Sequence, residues 1–204
     1  MTTNNENVNN QVNSSNGLNN EDILKTLERV NFWISNCDTK ISFALAFAGV
    51  LLAGFFSSSI ITGSLGKLID KAFKIDMTAK LWEVRILDVT MLLLIAFTIS
   101  VVVAVTYLFM GLKGSIDASV YKEHGLMTDS VIFFGTIANQ TFQSFKNKVM
   151  TIEANQVHND LLSQIFINSK ICRRKFRLYN NGVNYLIVSI ALFVLLNILF
   201  LFIN

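Results

Sequence analysis

Proline is absent from this sequence of 204 residues, and charged residues make up only 15% of it. Because proline breaks helices and marks many loops, its absence favours long, uninterrupted helices. The scarcity of charge, with 52% hydrophobic residues and a mean hydropathy of +0.48, is unusual for a soluble domain and predicts a membrane protein. A net charge of +3 gives no indication of a nucleic-acid partner.

Side chains that carry chemistry are also few. The two cysteines, Cys37 and Cys172, have neither a metal-binding spacing nor the number needed for a disulfide framework, so they are interpreted as free thiols. The two histidines, His124 and His158, match no metal-ligand motif. The sequence contains no glycine-rich phosphate loop and no nucleophile elbow. We therefore predict a protein that is not an enzyme and that holds no metal or resident cofactor.

Three long stretches lack charge and are rich in apolar residues. About 20 apolar residues in a helix cross the hydrocarbon core of a bilayer, which is roughly 30 Å thick. This length predicts transmembrane helices at residues 41–61, 87–111 and 183–203. The apolar run at residues 131–138 would make only about 12 Å of helix, and Asn139 and Gln140 follow it. We therefore expect residues 130–145 to form a core or interfacial segment and not a fourth span.

The segments between the spans are predicted to be helical as well. Residues 1–20 are rich in asparagine and are interpreted as a disordered tail. Residues 21–40 have the apolar spacing of an amphipathic helix, which Asn20 can cap. Residues 62–86 are expected to form an external loop or helix, and residues 112–180 a cytoplasmic helical region whose last helix can continue into the third span. The predicted fold is an all-α membrane protein with three transmembrane helices and a small cytoplasmic helical bundle.

The distribution of Lys and Arg predicts the orientation. With the N-terminus in the cytoplasm, twelve of these residues lie inside and five outside, which is the distribution that the positive-inside rule favours. The C-terminus is then expected outside. A chain of three spans is too thin to enclose a water path, and the first span has many small residues that allow close helix contact. We therefore expect a homo-oligomer in the active state.

Four cations crowd the segment before the third span: Arg173, Arg174, Lys175 and Arg177. One interpretation is an ordinary anchor at the lipid headgroups. The other is an anion site, because guanidinium groups pair with phosphate through two parallel hydrogen bonds. The sequence leaves both interpretations open.

Three patches together resemble the transmembrane effector family of Pycsar anti-phage immunity. The first contains Asp38 and Lys40 at the start of the first span, and the second is Phe133, Phe134 and Gly135. The third is the helix at residues 161–177, which carries Gln164, Asn168 and Lys175. The resemblance covers residues 21–204.

The resemblance implies a function that composition alone does not show. In such systems a pyrimidine cyclase makes cyclic CMP or cyclic UMP on infection, and the effector then impairs the bacterial inner membrane, which causes abortive infection. Here the cytoplasmic region would bind this cyclic pyrimidine mononucleotide, with Arg173, Arg174, Lys175 or Arg177 on the phosphate and Gln164, Asn168 or Tyr121 on the base. The alternatives are a small channel or transporter subunit without nucleotide control, and a membrane-anchored scaffold.

The segment at residues 130–138 also has two interpretations. It either packs at the cytoplasmic face of the membrane and relays ligand binding to the spans, or it forms the core of the cytoplasmic bundle.

Overall fold

The computed structural model describes residues 18–58, 61, 63, 65–66, 69–70, 81–113 and 123–203. Its principal helices are α1 (Asn20–Ser57), α2 (Leu81–Leu112), α3 (Phe134–Ala138), α4 (Phe142–Thr151) and α5 (Ala154–Ile203). Three of them, α1, α2 and α5, contain stretches long and apolar enough to cross a membrane. The predicted all-α membrane fold with three transmembrane helices is thus confirmed.

Two of the spanning helices are much longer than a bilayer requires. Helix α1 has 38 residues and α5 has 50, so each joins a polar segment and an apolar span without a break. The predicted helix at residues 21–40 and the predicted span at 41–61 are therefore one helix, which ends at Ser57. The parts that project beyond the apolar spans, residues 20–40 of α1 and 154–178 of α5, are called the stalk below.

The two helices of the stalk run side by side in the same direction. Three hydrogen-bonded pairs link them at nearly the same sequence offset: Asn20 Oδ1 with His158 Nδ1 at 2.8 Å, Asn31 Oδ1 with Asn168 Nδ2 at 2.8 Å, and Asp38 Oδ1 with Lys175 Nζ at 2.5 Å. Between the first two pairs, Ile23 and Leu27 of α1 form a buried apolar cluster with Leu161 of α5. The constant offset fixes a parallel register along the stalk.

Helix α2 runs antiparallel to both partners. Phe97 in its middle stacks on Phe55 near the end of α1, with ring centroids 4.9 Å apart. Nearer its own end, α2 packs on α5 so closely that a Cβ atom on Gly182 would lie 2.7 Å from the Leu108 Cγ. Two parallel helices and one antiparallel helix are what three consecutive membrane crossings require.

Residues 123–153 pack beside the stalk. Residues 130–133 are not helical and α3 has only five residues, which agrees with the prediction that this segment is not a fourth span. It lies against α5 near Asp160, 15 residues before Lys175 and thus about 22 Å of helix away from it. This placement favours the core of the bundle over the membrane face.

Several predicted boundaries differ from the structure. The cap of α1 is Asn19 and not Asn20, because the Asn19 Oδ1 accepts a hydrogen bond from the Asp22 N–H at 2.8 Å. Helix α2 begins at Leu81, earlier than the predicted residue 87. Residues 1–17, Tyr121 and most of the predicted external segment at 62–86 lie outside the described residues.

Candidate functional site

The four clustered cations do not share one surface. Successive residues of an α-helix are rotated by about 100°, so Arg173 and Lys175 lie on nearly opposite sides of α5. Arg173 and Arg177 are exposed and Arg174 is partly buried, whereas Lys175 is only 7% exposed. The four cations therefore do not face one phosphate together, and the assignment of phosphate to Arg173, Arg174 or Arg177 stays a prediction.

Lys175 is instead the centre of a contact among all three long helices. Its Nζ donates to Asp38 Oδ1 of α1 at 2.5 Å and to the carbonyl oxygen of Gly111, near the end of α2, at 3.1 Å. Gly111 leaves little room here, since a Cβ there would lie 2.9 Å from the Ile41 Cδ1 and would require the end of that side chain to shift. This contact is called the three-helix tie. It occupies Lys175 in a structural role, so the residue is not available as a phosphate ligand in this conformation.

The other member of the Asp38–Lys40 motif points elsewhere. The side chain of Lys40 is exposed, and its Nζ lies 5.8 Å from the centroid of the Phe176 ring. Such a cation–π contact at an exposed site contributes about 0.5–1 kcal/mol. The two residues of the motif therefore hold α1 to α5 in different ways.

Gln164 and Asn168, both predicted to read a base, lie one turn apart on α5 but have different partners. The Asn168 Nδ2 donates to Asn31 Oδ1 of α1 within the stalk. Gln164 is 7% exposed and faces the segment at residues 126–136. Of these two residues, only Gln164 lines a cavity beside that segment.

Ser130 and Asp160 attach that segment to α5. The Ser130 hydroxyl donates to Asp160 Oδ2 at 2.9 Å, and the Val131 N–H donates to the same oxygen at 2.9 Å. In turn the Ser130 Oγ accepts from the N–H groups of Ile132 at 3.0 Å and Phe133 at 2.8 Å. Both Ser130 and Asp160 are buried, and within the described part of the chain the Asp160 Oδ1 has no hydrogen-bond partner. The polar groups of this turn are therefore satisfied partly by Asp160 of α5 and partly by Ser130 within the turn.

The Phe133–Phe134–Gly135 motif forms the start of α3. The ring of Phe133 folds back so closely that a Cβ on Gly135 would lie 2.6 Å from its Cε1. Thr136 closes the turn, because its Oγ1 donates to the carbonyl oxygen of Ser130 at 2.8 Å. Phe134 is 77% exposed. Glycine thus allows Phe133 to face α5 while Phe134 points outward.

The segment and α5 line a partly open cavity of about 270 Å³. Its polar lining includes Ser130, Thr136 and Gln164, and its apolar lining includes Phe133 and Ile167. The volume lies just below the range of small-molecule sites, about 300–1,000 Å³. Over the described ranges, no group of three His, Cys, Asp or Glu residues is arranged to hold a metal ion.

Ion pairs stand beside the cavity: Lys148 pairs with Asp129, which lies between the lining residues Thr128 and Ser130, and Lys170 pairs with Glu123. Lys170 follows Ile167 by three residues on the same face of α5, and Glu123 precedes Leu126, another lining residue, by three. The Lys170 Nζ lies 3.5 Å from the Glu123 Oε1, and both side chains are about half exposed. This pair therefore lies near one end of the cavity.

Sequence reasoning missed Ser130, Asp160 and Lys170. A signal was present in α5, where Asp160, Ser163 and Gln164 have the spacing of one helical face, and the Ser163 Oγ accepts from the Met127 N–H at 3.0 Å. A polar stripe beside the apolar stripe predicts that α5 packs against a segment rich in backbone polar groups. It does not identify that segment.

Comparisons with known proteins cover nearly the whole chain. The family described as Pycsar effector protein domain (PycTM) matches residues 22–203. The chain is also 57% identical over 182 residues to the Pycsar effector protein GmPycTM of Gulbenkiania mobilis, an alignment that covers 89% of this chain and 93% of that protein. No solved structure matches it. Because the matched region contains all three long helices, the stalk and the cavity, the chain belongs to the Pycsar effector family, whose members act in anti-phage defence.

Proposed function

We propose that a cyclic pyrimidine mononucleotide, cyclic CMP or cyclic UMP made by a partner cyclase, activates this defence effector. The activated protein impairs the bacterial inner membrane, and the infected cell dies before the phage matures. The observation that carries the proposal is the family match over residues 22–203, which includes both the spanning helices and the stalk that projects from them.

The continuity of α1 and α5 supports a signal that starts in the stalk. Each helix passes from the stalk into its apolar span without a break, and the three-helix tie links both of them to the end of α2. Rigid helices with discrete contacts are the elements that carry coupling between distant sites. A ligand that shifts α5 in the stalk would therefore shift its span as well.

The proposed orientation of the protein in the membrane follows from the distribution of its charges. With the stalk in the cytoplasm, most Lys and Arg residues lie inside, on the side where a cyclase product accumulates. The spans expose many large apolar side chains, including Phe43, Phe47, Leu92, Ile99 and Ile187. Lipid or further copies of the chain cover these side chains, and the active form is a homo-oligomer in the bilayer.

The test combines binding with membrane potential. Isothermal titration of the full-length protein in detergent with cyclic CMP, cyclic UMP and cyclic AMP should show binding of at least one pyrimidine nucleotide and not of cyclic AMP. In phage-infected cells that express the protein, a potential-sensitive dye should report depolarisation only when the cyclase is also expressed. Depolarisation without any cyclase would favour a constitutive channel, and no depolarisation under either condition would favour a scaffold.

A further inference from the structure

Gln164 is a buried amide that the protein itself bonds weakly. Its Nε2 lies 3.4 Å from the Ser130 Oγ. That oxygen already accepts shorter hydrogen bonds from the N–H groups of Ile132 and Phe133, and a hydroxyl oxygen has only two lone pairs for acceptance. A buried polar group without a good partner is unfavourable. A ligand that supplied such a partner would therefore gain affinity from this side chain.

The cavity that Gln164 lines suits an uncharged flat ring. Among the described residues that line it, none is charged, and apolar side chains such as Phe133, Met127 and Ile167 form much of the lining. A phosphate buried there would lack a cation, which is unfavourable. A heteroaromatic ring can instead place its faces against apolar and aromatic side chains and its polar edge on the amide. At about 270 Å³, the space fits the base end of a nucleotide better than a whole charged nucleotide.

Lys170 supplies a charge near one end of this cavity. It is paired with Glu123 at 3.5 Å, and both groups are accessible to solvent. An ion pair with this exposure contributes little, about 0–1 kcal/mol, to stability, so a phosphate can replace the carboxylate at small cost. The same ammonium would then neutralise the single negative charge of a cyclic mononucleotide.

We infer that the cavity between residues 126–136 and α5 binds the pyrimidine base of the activating nucleotide, with Gln164 on its polar edge and Lys170 on the phosphate. This inference rests on the proposed function. It differs from the sequence-based assignment, which placed the phosphate on the cations at residues 173–177.

Two variants with matched controls test the site in the full-length protein. Gln164→Leu removes the amide, and Gln143→Leu makes the same change at an exposed glutamine of α4. Lys170→Gln removes the charge of a surface ion pair, and Lys25→Gln does the same to the exposed pair of Lys25 with Glu21. Titration with cyclic CMP and cyclic UMP should show binding weakened roughly 3- to 10-fold by the first variant and about 10-fold or more by Lys170→Gln, with both controls unchanged.

Salt dependence gives an independent measure of the phosphate contact. The affinity of the unmodified protein should fall as salt is raised, and that of Lys170→Gln should fall less, because one screened attraction is gone. An equal salt dependence in both proteins would overturn the assignment of Lys170.

A variant that blocks the cavity tests the site independently, in case Gln164→Leu misfolds. Thr128 lines the cavity and is exposed, so Thr128→Trp fills the space from outside and should abolish binding without changing helix content by circular dichroism. Unchanged affinity in both Thr128→Trp and Gln164→Leu, with a wild-type protein that binds, would refute the cavity assignment and leave the proposed function standing. A wild-type protein that binds neither nucleotide would refute both.

Discussion

The two charges of the three-helix tie should respond unequally to removal. The Lys175 side chain is 9% exposed and that of Asp38 is 37% exposed. Asp38→Asn leaves a nearly buried ammonium with weaker, uncharged partners, among them the Gly111 carbonyl oxygen at 3.1 Å. Lys175→Met leaves a carboxylate that water reaches, and the methionine fills most of the space of the lysine stem. We therefore expect Asp38→Asn to be the more destabilising of the two.

The magnitude follows from the burial of each charge. Breaking a fully buried ion pair by removing one partner destabilises a protein by about 3–5 kcal/mol. Because this pair is partly open on the Asp38 side, we expect about 2–3 kcal/mol for Asp38→Asn and about 1 kcal/mol for Lys175→Met. The double variant should be no less stable than Asp38→Asn alone, since it no longer buries an unpaired charge. The two substitutions should thus be non-additive by about 1–2 kcal/mol.

The order of stability of these variants can be measured on the purified protein in a single detergent. The protein is unfolded by titration with sodium dodecyl sulfate, and circular dichroism follows the loss of helix. The exposed pair of Lys25 and Glu21 supplies the control, and Glu21→Gln should change the free energy of unfolding by less than about 1 kcal/mol. If Lys175→Met destabilises as much as Asp38→Asn, or if the double variant shows the sum of the two effects, the buried ammonium is not what makes the tie sensitive.

Three further results are expected. Gly182→Val should lower stability by about 1–3 kcal/mol because it overpacks the contact of α2 with α5. Gly49→Ala should be neutral or stabilising, because nothing lies within 4 Å of the added Cβ. Thermal unfolding of the two variants measures the difference. A membrane-impermeant maleimide should label Cys172 in inverted vesicles but not in intact cells, and should leave the fully buried Cys37 unlabelled; labelling in intact cells would reverse the proposed orientation. Ser130→Ala should destabilise by about 2–4 kcal/mol, since it deprives a buried carboxylate and two N–H groups of a partner, and an unchanged melting temperature would contradict the hydrogen-bond assignment.

The spans were predictable because hydropathy and length act locally. An uncharged apolar window longer than the hydrocarbon core has few alternatives to a spanning helix, and α1, α2 and α5 each contain such a stretch. The ends of the helices were less predictable. Helix α2 begins at Leu81, ahead of the apolar window, because helical hydrogen bonding continues into polar sequence when no residue interrupts it.

The candidate site was only partly predictable, because a helix distributes neighbouring residues around its axis. The sequence grouped Lys175 with the adjacent arginines, but its partner is Asp38, far away in the sequence. Gln164 was selected for its hydrogen-bonding groups and does line the cavity. Asp160 resembles any polar residue on an amphipathic helix, and only the packing of residues 130–133 against it reveals its role.

The register of the stalk limits how a signal can pass along it. The bonds of Asn20, Asn31 and Asp38 to α5 all share nearly one sequence offset, so sliding one helix by a turn would break the three bonds together. The last of them is the only charged pair of the three and is held in the three-helix tie. A ligand bound at Gln164, midway along the stalk, would therefore have two routes to the membrane. It would move α1 and α5 together as one body relative to α2, which would strain the bond of Lys175 to the Gly111 carbonyl, or it would rotate α5 alone, which would expose Lys175 and release Asp38. Both routes pass through the three-helix tie, because it is where α2 is hydrogen-bonded to the end of the stalk.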